Sequence, residues 1–151
     1  MPVTRQKTSE TGFRVVDADW TQHAADIRRI RHTVFVLGQA IPDRLEWDGR
    51  DAHCCHALGL LDDGRAVATG RLQDDGRIGR MAVLEDWRGQ GIGRAILEHL
   101  LGLARRQQLS DVYLHAQADS TGFYRQAGFT DCGKSFMEAG IPHIEMRRRL
   151  V

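Results

Sequence analysis

The stretch Arg88-Gly89-Gln90-Gly91-Ile92-Gly93-Arg94-Ala95 follows closely on the apolar run Arg80-Met81-Ala82-Val83-Leu84, with Glu85-Asp86-Trp87 between them. A strand-like run ends, a short acidic and aromatic turn follows, and alternating glycines open a long helix. Its Ile92, Ile96, Leu100 and Leu103 fall on one stripe. Glycine lets a backbone come within hydrogen-bonding distance of a bulky ligand, because no Cβ stands in the way. The first turn of a helix presents unpaired N–H groups and the positive end of the macrodipole. Together these features predict a phosphate cradle built from Arg88, Gly89, Gln90, Gly91, Ile92, Gly93 and Arg94. A dinucleotide-binding turn would read G-x-G-x-x-G and open a series of βα units. Starting from neither Gly89 nor Gly91 does the spacing fit, and no such series follows.

Working outward, residues 13–18 read as a first strand, and Asp19 can cap a helix from Trp20 whose Ile27, Ile30, Val34 and Phe35 share a face. Gly38 and Pro42 end it, and a polar connection, with room for a short helix, runs over 39–51. Strands are predicted over 56–61 and 66–72, joined across Asp62-Asp63-Gly64, and Asp74-Asp75-Gly76 leads to the strand that carries Met81. After the long helix come a strand over 112–116, a short helix around 120–126, and strands over 129–136 and 144–150. The order β-α-βββ-α-β-α-ββ describes an α/β (α+β) protein with one mixed, mostly antiparallel sheet flanked by helices.

The 151 residues suit one domain, spanning 13–151 after a polar, disordered lead over 1–12. A net charge of +1 makes no electrostatic case for nucleic acid or a membrane surface. No apolar run approaches the roughly 20 residues of a spanning helix. The start lacks the apolar middle of a secretion signal, and Cys54, Cys55 and Cys132 form no disulfide framework. A cytoplasmic protein in a reducing compartment is expected.

The R-x-x-G-x-G pattern of Arg88, Gly91 and Gly93 resembles the acetyl-CoA pyrophosphate motif of the GNAT N-acetyltransferase superfamily. The segment Phe123-Tyr124-Arg125-Gln126-Ala127-Gly128-Phe129 resembles the one in which that superfamily delivers a tyrosine toward the CoA sulfur. Gln117 stands where many members carry a cofactor-binding asparagine. The wider resemblance is to the ElaA-like branch, through Arg31-His-Thr-Val-Phe-Val36 with Gln39, Asp48 with Asp51, and Ile78-Gly-Arg-Met-Ala-Val83. Leu114-His-Ala-Gln117 and Gly140-Ile-Pro-His-Ile144 with Met146 extend it. The resemblance implies acetyl transfer from acetyl-CoA to the amine of a small molecule or peptide, by direct attack, in a protein that in this superfamily is commonly a homodimer. It also implies that the backbone of Met81, Ala82 and Val83 binds the pantetheine arm and supplies an oxyanion donor.

That reaction needs a base for the amine, an N–H aimed at the carbonyl oxygen, and a hydrogen bond or proton for the departing sulfur. Tyr124 is the candidate for the sulfur. An ordinary tyrosine has a pKa of roughly 10 against roughly 8.5 for a thiol, so full proton transfer is uphill by about 2 kcal/mol. Many relatives place a glutamate on the strand before the glycine turn, where this chain has Arg77, Ile78, Gly79 and Arg80. The base must therefore come from among Glu46, Asp48, His115 and His143; His143, in a predicted loop beside the acceptor, has a residue type with a suitable pKa. Asp43, Glu46, Asp48 and Asp51 outnumber Arg44 and Arg50, which predicts a mildly acidic rim for a cationic amine. ElaA-like proteins usually carry a glutamate where Gly38 precedes Gln39, which points to a different acceptor here.

Two rival patterns are set aside on geometry. His53-Cys54-Cys55-His56 has metal-binding residue types, but in an extended strand they point alternately to opposite sides, so no metal site is expected. Gly128-Phe-Thr-Asp-Cys-Gly133-Lys134-Ser135 matches a phosphate loop letter for letter, yet a helix precedes it and a strand pattern follows, the reverse of what that loop requires. The alternative from another class is a non-catalytic acyl-CoA sensor or scaffold, suggested by the missing strand glutamate.

Overall fold

The computed structural model describes residues 12–151, so the lead expected over 1–12 lies, all but Gly12, outside the described residues. Seven strands form one sheet in the order β1-β2-β3-β4-β5-β7-β6. They are β1 (Phe13–Ala18), β2 (Cys55–Leu61), β3 (Ala66–Leu72), β4 (Arg77–Val83), β5 (Asp111–Gln117), β6 (Thr130–Glu138) and β7 (Ile141–Arg149). Every neighbouring pair is antiparallel except β4 and β5, which run parallel. The helices are α1 (Trp20–Arg31), α2 (Asp43–Glu46), α3 (Ile92–Arg106) and α4 (Thr121–Gln126). The predicted mixed sheet and its element order are both observed.

The two faces of the sheet carry separate apolar clusters. On one, α3 buries Ile96, Leu97, Leu100 and Leu101 against Val67, Ile78 and Val112. The helix sits close because β3 carries a glycine beneath it: a Cβ at Gly70 would lie 2.7 Å from Ile96 Cγ2 and 2.9 Å from Leu100 Cδ1. On the other face, Ile27, Ile30, Val34 and Phe35 cover Leu58, Ala66 and Ala82. Asp19 caps α1 as expected, its Oδ1 accepting from the Thr21 amide at 2.9 Å. Past Arg31 the helix widens into a π-helical segment, His32–Leu37, a distortion common beside functional sites.

The last hairpin departs from the sequence reading. Ala139 and Gly140 both hold positive φ, 52° and 77°, and make a two-residue turn that starts β7 at Ile141. His143, expected in a loop, therefore stands in a strand, paired with Gln117 on one side and Phe136 on the other. Pro142 hid the strand, because proline is tolerated only at strand starts and edges. It is accommodated because β5 reaches β7 only from His143 onward. The phosphate-loop lookalike lies mostly in β6, where Gly133 takes a φ of 85° within an irregular register between Cys132 and Phe136.

Candidate active site

β4 and β5 are paired only at Arg77 with Tyr113 and Ile78 with Leu114. Beyond that point β4 carries a bulge: pairing to β3 jumps from Arg71 with Gly79 to Thr69 with Ala82, so Arg80 and Met81 together face Gly70. A bulge bends its strand and turns it away from its neighbour. The parting strands leave a cleft of about 650 Å³ in the middle of the sheet.

Many of the residues expected to act reach this cleft. Met81, Ala82 and Val83 form part of one wall and Tyr124 and Gln117 part of the opposite one. Glu46, His143, Arg88 and Gly93 also line it. Gly89, Gln90, Gly91 and Ile92 lie between Arg88 and Gly93, at the entrance to α3. Gly91 caps that helix in the left-handed conformation, φ 88°, and the first helical bond runs from the Ala95 amide to its carbonyl at 3.1 Å. The amides of Ile92, Gly93 and Arg94 precede that bond and so are free donors. Space for a Cβ is open at both Gly89 and Gly91, so nothing crowds the cradle. Arg88 folds back, its Nε donating to the Val83 carbonyl at 2.8 Å. Arg94 instead pairs with Glu98 one turn along α3, at 2.9 Å on the helix surface. A long slot with a ring of backbone donors at its mouth fits an extended ligand that ends in phosphates.

Tyr124 comes from α4, its ring set edge-on to Phe129, centroids 6.0 Å apart. Its hydroxyl lies 3.9 Å from Met81 Sδ, and burial pushes its pKa up to about 12. Gln117 donates to the Gln39 side chain at 2.9 Å, tying β5 to the chain just past the π-helical segment. His143 donates from Nδ1 to the Ile141 carbonyl at 2.7 Å, which leaves Nε2 the lone-pair nitrogen, without a partner among the described residues. His115 lies 2.8 Å from Glu138 through Nδ1 and has Glu145 3.8 Å from Nε2, so both its nitrogens face carboxylates.

The predicted acidic rim is not there. Asp51 accepts from Arg31 at 2.6 Å and Arg71 at 3.0 Å; Arg71 also holds Asp48 at 2.8 Å, and Arg31 holds Glu46 at 2.6 Å. Arg80 lies 3.4 Å from both Glu46 and Asp48. The six side chains close a ring of alternating charge with no net charge. Local counting failed because the compensating guanidiniums come from α1, β3 and β4, far away in sequence. Burial raises the Asp51 and Asp48 carboxyls, but hydrogen bonds from Arg31 and Arg71 outweigh it and hold both below the ordinary carboxylate range. At Glu46, only 2% exposed, burial wins over Arg80 and Arg31 and pushes the pKa up. A signal for the ring was present: Arg31 falls on the apolar stripe four residues after Ile27, and Arg71 sits inside the apolar run of β3.

Of the metal-like tetrad, only Cys55 and His56 lie in a strand; His56 turns inward to stack on Trp20, centroids 5.3 Å apart, and bonds the Asp51 carbonyl at 2.8 Å. Among the described residues no helix is long and apolar enough to cross a membrane.

Comparison with known proteins agrees with this geometry. The model of the acetyltransferase (GNAT) domain matches residues 32–150. The uncharacterized N-acetyltransferase YjcF of Bacillus subtilis is 30% identical over 140 residues, 90% of this chain and 99% of that one. An acyl-CoA N-acyltransferase of Pseudomonas aeruginosa, 32% identical, has a similar structure with a TM-score of 0.81, covering 91% of this chain and 99% of its own. Escherichia coli ElaA, 29% identical, gives a TM-score of 0.81 over 90% of this chain and 99% of its own.

Proposed function

The chain belongs to the GNAT acetyltransferase family, ElaA-like in structure, and on that premise we propose that it transfers an acetyl group from acetyl-CoA to a primary amine. The observation that carries this reading is the parting of β4 from β5 at the bulge, with the free amides of α3 at one end of the opening and Tyr124 and His143 lining it. The thioester of acetyl-CoA supplies an activated acyl carbon. The turn from Arg88 to Arg94 would hold the pyrophosphate through backbone amides, and the β4 segment Met81 to Val83 the pantetheine arm.

The acceptor amine gives a proton to His143 Nε2, the base best placed by its fixed tautomer. Its lone pair forms the new C–N bond as the C–S bond breaks, and that electron pair leaves with the sulfur. A backbone N–H at the bulge stabilises charge on the carbonyl oxygen. Tyr124 donates a hydrogen bond to the departing sulfur. With its pKa at about 12, giving up the proton outright to a thiolate of pKa roughly 8.5 is uphill by about 5 kcal/mol. Glu46 and Asp48, bound into the ring, serve the frame of the site rather than the proton transfer. A neutral ring also removes the argument for a strongly cationic acceptor.

Calorimetric titration with acetyl-CoA, CoA and Mg-ATP tests the reading. Acetyl-CoA and CoA are expected to bind and Mg-ATP not to. Gly91→Glu, which puts a carboxylate at the cradle in a strained left-handed position, is expected to weaken acetyl-CoA at least tenfold. Undiminished binding in that variant moves the phosphates elsewhere. CoA release during incubation with polyamines, amino acids and aminoglycosides separates an enzyme from a sensor. In an acceptor-dependent assay, His143→Gln is expected to lower turnover about a hundredfold while acetyl-CoA affinity changes less than twofold. An unchanged turnover assigns the base to another group.

A further inference from the structure

Two non-glycine residues of the cleft wall hold positive φ: Ala139, in the tight turn before β7, and Arg80, inside a strand. Arg80, the extra residue of the β4 bulge, holds a φ of 50°, a left-handed conformation disfavoured for any side chain with a Cβ. Such residues persist only where their surroundings over-determine them. Here the surroundings are explicit. The Arg80 guanidinium donates from Nη2 to the Glu46 carbonyl at 3.0 Å and to the Leu45 carbonyl at 3.3 Å. It also approaches the carboxylates of Glu46 and Asp48 at 3.4 Å each. Those two are in turn fixed by Arg31 and Arg71, which share Asp51. Arg80 thus closes the charged ring, and it is the ring member whose own backbone forms the bulge.

The next residue, Met81, follows the left-handed step directly, so the orientation of its amide depends on Arg80 φ and ψ. The Met81 side chain reaches the Tyr124 hydroxyl at 3.9 Å, which places this turn of backbone at the reacting end of the cleft. We infer that Arg80 is a positioning residue: closing the ring with Glu46 and Asp48, it locks the bulge so that the Met81 amide points at the acyl carbonyl. The inference rests on the acetyl-transfer reading above. It explains why an arginine occupies a left-handed position that glycine would fill without strain: the side chain supplies the lock.

The test is isotope-edited infrared spectroscopy of acetyl-CoA labelled with ¹³C at the thioester carbonyl, bound to the wild-type protein, Arg80→Ala, Arg80→Gly and Asp48→Asn. In the wild type the bound carbonyl band is expected to move to lower frequency than in free acetyl-CoA. In Arg80→Ala and Arg80→Gly it returns most of the way, while the calorimetric affinity stays within twofold. Asp48→Asn leaves Arg80 in place with a weakened anchor and shows a smaller loss in the same direction, so the test survives if an Arg80 variant does not fold. A band that stays shifted in Arg80→Gly means that the bulge alone suffices, and overturns the inference. A wild-type band that never shifts overturns it too while leaving acetyl-CoA binding intact. Absence of acetyl-CoA binding to the wild type overturns the functional reading and the inference together.

Discussion

Asp51→Asn is expected to lower folding stability by about 3–5 kcal/mol, and the melting temperature by roughly 10 °C for a chain of this size. Asp51 is 6% exposed and its Oδ1 alone serves two guanidiniums, those of Arg31 and Arg71, which are 0% and 2% exposed. Asparagine keeps the shape and one acceptor oxygen but removes the charge. Two buried cations are then left with two carboxylates, each shared with Arg80, and the cost of an uncompensated buried charge appears in full. The pH dependence has a defined sign. Arg31 and Arg71 outweigh burial and hold the folded Asp51 carboxyl below its unfolded pKa of about 3.9. Its contribution is therefore complete above that value and is lost as pH falls through the lower, folded one. The gap between wild type and variant is widest near neutrality and narrows below about pH 4. Equal melting temperatures at pH 7 would mean that the guanidiniums find other partners and that the ring is not structural.

A buried ring of ions is not needed merely to hold a core together, since apolar side chains of similar volume often serve as well. What apolar packing cannot do is fix a direction. Hydrogen bonds from Arg31 and Arg71 set the carboxylates, and the carboxylates and carbonyls of the α2 turn set Arg80. The connection after α1, the centre of β3 and the bulge of β4 become one rigid piece beside the cleft.

The sequence announced the parts of this arrangement that depend on neighbours along the chain. The alternating glycines before Ile92 give a helix with an open N-terminus because φ and capping are local properties, and the Asp-Gly turns give hairpins for the same reason. The ring was not announced. Its pairs span from 15 residues, Arg31 to Glu46, to 34, Glu46 to Arg80, so their charges cancel only after the sheet has formed. Counting acids along the 39–51 connection therefore gave a negative environment where the ring is neutral. Arg31 at an apolar position of α1 and Arg71 within the apolar run of β3 were the local clues, because an unpaired arginine at either would be too costly to bury. The bulge was equally hidden, since Arg80 has no composition signal for a left-handed conformation; glycine or asparagine would have given one. His143 lines the cleft from a strand instead of the expected loop, because Pro142 masked the strand that presents it.

Tyr124→Phe is expected to reduce turnover about a hundredfold while the affinity for acetyl-CoA changes less than twofold. Phenylalanine keeps the edge contacts to Phe123 and Phe129, at 5.0 and 6.0 Å between centroids, so the wall of the cleft stays in place and only the hydroxyl is lost. That hydroxyl faces Met81 Sδ in the free protein, a weak acceptor that a developing thiolate would easily outcompete. The interaction strengthens as negative charge builds on sulfur, so its loss appears in kcat and not in ground-state binding. Burial is what keeps Tyr124 suited to the task. With the pKa pushed up to about 12 the hydroxyl stays protonated through the neutral and mildly alkaline range, and the wild-type rate should show no decline there traceable to this residue. A tyrosine acting as a proton donor of ordinary acidity would instead give a basic limb near pH 10 that disappears in the phenylalanine variant. The pH profile of the variant pair thus separates a hydrogen-bond donor from a general acid, and an unchanged kcat removes the Tyr124 hydroxyl from the reaction altogether.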